Sequence, residues 1–133
     1  MKRVTGIGGI FFKAREPDTL RSWYKEHLGL PVESWGGTQF HWRRDDAPDV
    51  RGSTVWTLFK GDTHYFDPSD KPFMINYRVE NLAAVVAALK SEGVAVDDKI
   101  EETEYGRFAW LMDPEGNRVE LWEPPEEKVE EKK

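Results

Sequence analysis

The stretch DPEGNRVELWEP, residues 113–124, predicts a tight turn that leads directly into a β-strand. Its proline presets φ, its aspartate can accept hydrogen bonds from the turn, and Gly116 can adopt the left-handed conformation. Because strand side chains alternate, Arg118, Glu120 and Trp122 are expected to share one face. The strand therefore carries a carboxylate between apolar neighbours, and the role of Glu120 is the main functional question that the sequence raises.

The length and composition of the chain limit the kinds of protein that it can be. Its 133 residues suit one domain with a hydrophobic core, and the absence of cysteine excludes disulfides, thiolate metal sites and a cysteine nucleophile. The formal net charge of -6 argues against a nucleic-acid partner. No apolar run is long enough to cross a membrane, and the N-terminal segment lacks the apolar region of a secretory signal. We therefore expect a cytoplasmic protein with no membrane partner.

The two halves of the chain show the same order of secondary structure. The first half predicts a strand, a helix and two strands at 4–14, 15–29, 38–44 and 53–60. The second half predicts a strand, a helix and three strand candidates at 73–79, 81–93, 95–102, 105–112 and 117–123. FHWRRDD at 40–46 also matches FAWLMDP at 108–114. The sequence therefore predicts two tandem βαβββ modules, at about 4–60 and 73–124.

Four features together resemble the vicinal oxygen chelate superfamily, which includes glyoxalase I, extradiol dioxygenases, fosfomycin resistance proteins and bleomycin-binding proteins. They are the repeated module, the segments WYKEHLGL and NLAAVVAALKSEGV, and the terminal DPEGNRVEL. The resemblance covers roughly residues 4–124. It implies an α+β fold in which a curved mixed sheet surrounds a cavity and the helices lie outside. It also implies a homodimer of single glyoxalase-like domains, each at 1–124, and we expect residues 125–133 to form a mobile charged tail.

The resemblance further implies positions for metal ligands, one on the first strand and one on the last strand of each module. In this chain those positions are Gly9, Met74, Trp56 within about one residue, and Glu120. Only Glu120 can bind a hard cation, whereas catalytic sites normally use at least three protein ligands. His41 is predicted to face away from Glu120. We therefore expect no metal and no other cofactor.

Alternate residues of the strands are expected to face the cavity of the resembled fold. They are Phe11, Phe40, Trp42, Trp56, Met74, Asn76, Phe108, Trp110, Glu120 and Trp122. Apolar walls with a few polar groups are typical of small-molecule sites. Aromatic faces beside a carboxylate favour a small aromatic or cationic molecule as the partner.

Glu120 is the candidate catalytic residue of this cavity. A buried carboxylate needs a partner, and the candidates are Arg107, Arg118, Asn76, a backbone amide or the ligand itself. Without a cation nearby its pKa should rise, which suits a general acid or base.

We predict from these features a metal-independent small-molecule-binding protein, and leave open whether it catalyses a reaction. The alternative is a metal-dependent lyase, isomerase or oxygenase of glyoxalase type that uses Glu120 as a ligand. A third interpretation is a subunit or sensor domain whose cavity binds an effector. A purely structural alternative is that the aromatic side chains simply fill the concave side of the sheet. Tyr65 and Tyr105 lie near predicted loop ends, where they either gate the cavity or belong to the surface.

Overall fold

The computed structural model describes residues 3–125 and shows two helices and one seven-stranded sheet in that range. The elements are β1 (Val4–Ala14), α1 (Pro17–Leu28), β2 (Gly37–Arg43), β3 (Arg51–Lys60), β4 (Phe73–Val79), α2 (Leu82–Ser91), β5 (Glu101–Thr103), β6 (Gly106–Met112) and β7 (Arg118–Glu123). The strand order is β2-β3-β1-β4-β7-β6-β5. The predicted α+β class and curved mixed sheet are confirmed. All but the first residue of the predicted tail lies outside the described residues.

Two modules are joined at the centre of the sheet, where β1 and β4 pair antiparallel. In each module the last strand pairs in parallel with the first, β3 with β1 and β7 with β4. The first module has the two strands after its helix that its sequence indicates, rather than the three of the predicted βαβββ module. Pro31 and a tight turn closed by a 2.9 Å bond from the Gly36 amide to the Glu33 carbonyl occupy the space before β2. Neither described helix is long and apolar enough to span a membrane.

The turn that opens β7 has the predicted geometry. Asp113 Oδ1 accepts hydrogen bonds of 2.9 Å from the amides of Glu115 and Asn117. Gly116 adopts a φ of 84°, the left-handed conformation that favours glycine. The turn therefore directs the chain into β7 through its own side-chain and backbone chemistry.

The aliphatic core lies between α2 and the second half of the sheet. The α2 N-terminus is capped by Asn81, whose side chain accepts from the Ala84 amide at 3.0 Å. The core consists of Val79, Leu82, Val85, Val86, Ala109, Leu111 and Leu121. By contrast, α1 buries none of its residues fully and contacts the sheet mainly through Tyr24, whose ring lies 5.1 Å from that of Trp56.

A second cluster occupies part of the opposite, concave face. Its buried members are Phe66, Met74 and Trp110, with Phe11, Phe59 and Phe108 packed against them. Phe66 belongs to the joint, which is the segment 61–72 between the modules. Ser69 Oγ in the same segment donates to the Gly116 carbonyl at 2.6 Å, which fastens the joint to the β7 turn. The joint therefore fills one end of the concave face.

Replacing Leu82 by alanine should lower the free energy of unfolding by about 2–5 kcal/mol, because this fully buried side chain leaves a cavity in the aliphatic core. Leu28→Ala is the matched control, since Leu28 in α1 is 64% exposed and its loss should cost no more than about 0.5 kcal/mol. Urea denaturation measures both values. Equal losses at the two positions would contradict the placement of the core beneath α2.

Candidate functional site

A transverse row of residues crosses six strands at the level of Glu120. In spatial order it consists of Gln39, Val55, Gly9, Asn76, Glu120 and Trp110, each in register with the next. Residues that pair across strands present their side chains to the same face. The row therefore brings Asn76 and Trp110 to either side of Glu120 on the concave face.

Glu120 is 2% exposed and accepts three hydrogen bonds. Asn76 Nδ2 donates to Oε1 at 2.6 Å, while the Tyr65 hydroxyl and Trp110 Nε1 donate to Oε2 at 2.6 and 2.9 Å. All three donors are neutral. Of the predicted partners Asn76 is thus present, whereas Arg118 pairs with Asp97 at 2.6 Å instead.

The Glu120 carboxyl and the Tyr65 phenol both have a raised pKa in these neutral surroundings. Burial raises the pKa of Glu120 above its ordinary value, and the hydrogen bonds from Tyr65, Asn76 and Trp110 offset part of that rise. Burial, followed by the charge of Glu120, also raises the pKa of the Tyr65 phenol. The phenol therefore keeps its proton and serves as a donor, while Glu120 is the group that can exchange a proton.

Tyr65 comes from the joint, and the sequence identified it only as a residue near a loop end. Its ring stacks on Phe59 with centroids 5.4 Å apart and meets Trp110 edge-on at 6.5 Å. The hydrogen bond to Glu120 spans 55 positions of the chain. No local sequence pattern reports such a contact, because it depends on how the joint folds back over the sheet.

An open cavity of about 740 Å³ lies beside Glu120 on the concave face. The aromatic residues that line it are Phe11, Trp35, Tyr105, Phe108 and Trp122. Its polar lining consists of Gln39, Ser53, Asn76, Glu104 and Glu120, and no lysine or arginine among residues 3–125 lines it. Asn76 Oδ1 is buried and has no hydrogen-bond partner within the described chain. The cavity therefore combines aromatic surface with acceptor groups.

Five of the residues predicted for the cavity lie around it in the structure. They are Phe11, Asn76, Phe108, Glu120 and Trp122. Met74 and Trp110 share the concave face but are buried next to Phe66, beneath the joint. Trp35 was not predicted for the cavity, and it lies outside any strand, where alternation gives no information about its direction.

Phe40, Trp42 and Trp56 lie on the opposite face, contrary to the prediction. Trp56 packs on Phe12 and Tyr24 beneath α1. Phe40 and Trp42 are in register with the even-numbered β3 residues on the same side as Trp56, and Trp42 Nε1 donates to Thr54 Oγ1 at 2.8 Å.

The cause of this error is a misalignment of the two modules by an odd number of residues. The row places Gln39, rather than Phe40 or Trp42, on the same face as Trp110, and Val55, rather than Trp56, on the same face as Glu120. Since the side-chain period of a strand is two, an odd slip moves every side chain to the other face.

The same slip corrects one further prediction. His41 lies on the concave side, where it lines a cavity together with Ser53 and Trp122, rather than facing away from Glu120. Gly9 and Met74, the predicted first-strand positions, each lie five residues before the last residue of their strands, Ala14 and Val79.

The row allows the implied metal site to be tested against the residues present. The first-strand positions are Gly9 and Met74, the last strand of the second module supplies Glu120, and the β3 residue in register with Gly9 is Val55. Only Glu120 is a ligand for a hard cation. No group of three or more His, Asp or Glu side chains in residues 3–125 is arranged to hold a metal ion. Both oxygens of Glu120 already accept hydrogen bonds from neutral donors. These residues do not fit the metal site of the resembled superfamily.

Comparisons with known proteins agree with this architecture. The model of the glyoxalase-like domain family matches residues 9–122. No curated protein matches the sequence. The methylmalonyl-CoA epimerase of Mycobacterium tuberculosis is similar in structure, with a TM-score of 0.57, 20% identity and coverage of 92% of this chain and 89% of that one.

Two further solved structures share the fold. A variant of the Streptomyces coelicolor methylmalonyl-CoA epimerase, in complex with 2-nitronate-propionyl-CoA, has a TM-score of 0.63, 19% identity and coverage of 91% and 98%. A glyoxalase/bleomycin resistance protein/dioxygenase superfamily member from Vibrio splendidus 12B01 has a TM-score of 0.57, 11% identity and coverage of 88% and 97%. At these identities the likeness concerns the fold alone.

The raised pKa of Glu120 makes stability depend on pH in a defined direction. A carboxyl whose pKa is higher in the folded state contributes its full stability below the unfolded pKa and loses it as pH rises through the folded pKa. The stability of the wild type relative to Glu120→Gln should therefore fall as pH rises above the ordinary glutamate pKa of about 4.3 and through the raised pKa of Glu120. Urea denaturation of both proteins across this range measures the difference. Glu104→Gln, at an exposed carboxylate of the same cavity, is the control, and a pH-independent difference for Glu120→Gln would contradict the assignment.

Tyr65→Phe should raise the pKa of Glu120 further, because it removes a hydrogen bond that favours the ionised carboxylate. The phenylalanine ring can keep the stack on Phe59, so the change is confined to the hydroxyl. Carbon-13 NMR of the carboxyl group, recorded as a function of pH, measures the shift. Tyr105→Phe is the control at a tyrosine that is 67% exposed. A lower Glu120 pKa in Tyr65→Phe would be the contrary result.

Proposed function

The chain belongs to the glyoxalase-like domain family, and from this premise we propose that it binds a small organic molecule, without a metal, in the cavity beside Glu120. The observation that carries the proposal is the buried carboxylate of Glu120, held by three neutral donors, at the wall of an open aromatic cavity. Its volume of about 740 Å³ lies within the usual range for small-molecule sites.

The lining of the cavity favours an aromatic or cationic ligand. Trp35 and Trp122 offer faces on which a flat ring or a cation can rest. Glu104 and Glu120 add negative charge, and no basic side chain of the described chain lines the cavity to oppose it. A cation beside Glu120 would offset the cost of keeping that carboxylate ionised away from water. Binding of a cation is therefore coupled to loss of the Glu120 proton.

The interpretation of a filled concave face applies to one end of the sheet. Phe66, Met74 and Trp110 occupy the end covered by the joint, while the end bounded by Ser53 and Trp122 is open. Because only one end is filled, the structure favours the interpretation of a short binding cavity rather than that of a continuous aromatic core.

The proposal extends to chemistry: Glu120 can act as a general acid or base toward the bound molecule. A raised pKa allows the carboxyl to exchange protons closer to neutral pH than an exposed glutamate can. Trp110 and Asn76 hold the carboxylate in one orientation from either side. These features support proton transfer to or from a bound molecule without specifying a substrate.

Proflavine, a planar aromatic cation, is a suitable probe, and its fluorescence should report saturable binding. Glu120→Gln should weaken that binding by about 10-fold, because the amide keeps the shape of the side chain but removes its charge. The affinity of the wild type should rise with pH as Glu120 loses its proton, and this pH dependence should be absent from the variant. Glu104→Gln is the control and should change the affinity by less than about 3-fold.

Two outcomes would contradict the proposal. One is the absence of saturable binding for proflavine and for a broad library of aromatic compounds. The other is stoichiometric zinc, nickel, manganese or iron in the purified protein that is lost on Glu120→Ala, since this would favour the metal-dependent lyase, isomerase or oxygenase.

A further inference from the structure

A second cavity, of about 820 Å³, continues the concave face beyond the aromatic one. The two cavities share Ser53, Trp122 and Pro125 in their walls, so they adjoin each other, and we call the two together the trough. The character of the lining changes along it. His41, Arg51 and Arg78 line the second cavity and are absent from the first, and we refer to these three residues as the basic chamber.

The sheet register places the basic chamber at a defined distance from Glu120. His41 and Arg78 follow Gln39 and Asn76 of the transverse row by two positions in β2 and β4, and Arg51 precedes Val55 by four positions in β3. With a strand rise of about 3.3 Å per residue, these side chains are centred roughly 7 to 13 Å along the trough from the row.

Other charged residues in the second cavity are already engaged within the protein. Arg44 forms ion pairs with Asp46 at 2.8 Å and with Glu80 at 3.5 Å. Glu123 accepts a 2.8 Å hydrogen bond from the Leu82 amide at the N-terminus of α2, where a negative charge is favoured. The charges of Arg44 and Glu123 are therefore balanced within the protein and require no ligand.

In the basic chamber Arg78 is also engaged within the protein, and its guanidinium lies 5.8 Å from the centre of the Trp42 ring. Arg78 Nη1 donates to the Arg51 carbonyl at 2.9 Å, which holds that guanidinium at the wall of the trough. Within residues 3–125 the Arg51 guanidinium and the His41 ring form no hydrogen bond or ion pair, and both side chains are exposed. Two basic side chains that are open to solvent thus converge beside a third whose position is fixed, in a protein whose formal net charge is -6.

We propose that the basic chamber binds an anionic group of the same molecule whose aromatic or cationic portion occupies the cavity beside Glu120. This inference rests on the proposed function and narrows its ligand to an organic molecule that carries a carboxylate, sulfonate or phosphate. Guanidinium groups suit all three anions because they donate parallel hydrogen bonds in one plane. The anion and the portion beside Glu120 are separated by roughly 7 to 13 Å, which is two to four residues along a strand.

Anilinonaphthalene sulfonate and phenylnaphthylamine test the proposal, because the two fluorescent probes share an aromatic skeleton and differ in the sulfonate. The wild type should bind the sulfonate more tightly. Arg51→Gln should weaken binding of the sulfonate by about 3- to 10-fold and leave the neutral probe unchanged. Added salt should weaken the sulfonate alone, since the anion subsite is open to solvent.

Arg15→Gln is the matched control, because it removes the same charge from an exposed arginine that lines neither cavity. It should alter the affinity of neither probe. Thermal unfolding of the variants establishes that they are folded, and Arg51→Lys should restore part of the sulfonate affinity. Displacement of the sulfonate by phenyl phosphate or by phenylacetate then identifies the anion that the chamber prefers.

The outcomes separate this inference from the function on which it rests. Saturable binding of both probes with equal affinity, unchanged in Arg51→Gln, would overturn the anion subsite and leave the aromatic cavity in place. Failure of both probes and of proflavine to bind would overturn the proposed function itself. Equal losses in Arg51→Gln and Arg15→Gln would also overturn the subsite, because the effect would then come from net charge.

Discussion

A carboxylate inside a protein must receive hydrogen bonds or give up its charge, and the arrangement of this protein follows from how Glu120 meets that requirement. Its three donors come from β4, from β6 and from the joint between the modules. The contacts tie together parts of the chain that are distant in sequence. The first module brings Gly9 to the same row, and this residue has no side chain to compete for the carboxylate. The acidic group and the tertiary structure around it therefore depend on one another.

Much of the fold could be predicted from the sequence because its signals are local. The DPEGN turn is built by Asp113 and Gly116 within five residues, and α1 is capped by Gly29 in the left-handed conformation that the sequence indicates. The α2 cap at Asn81 and the alternation of β7 are equally short-range. Patterns of this kind are contained in the segment that they shape.

The candidate site was harder to predict because it depends on register between distant strands. Aligning the halves of the chain misaligned β2 and β3 by an odd number of residues, which moved Phe40, Trp42 and Trp56 to the wrong face. Loop lengths differ between the modules, and the first lacks a strand, so spacing alone could not determine the register. Tyr65 was harder still, since its bond to Glu120 depends on the path of the joint.

The joint has a consequence for the symmetry of the molecule. Two copies of one module, joined about β1 and β4, define a pseudo-twofold axis, and every strand of the first module has a counterpart in the second. The segment 61–72 has none, since it occurs once. Tyr65 and Phe66 therefore distinguish two otherwise equivalent ends of the concave face, closing one and leaving the other open. A linker that would otherwise only connect two repeats thus makes the two ends of a near-symmetric surface different.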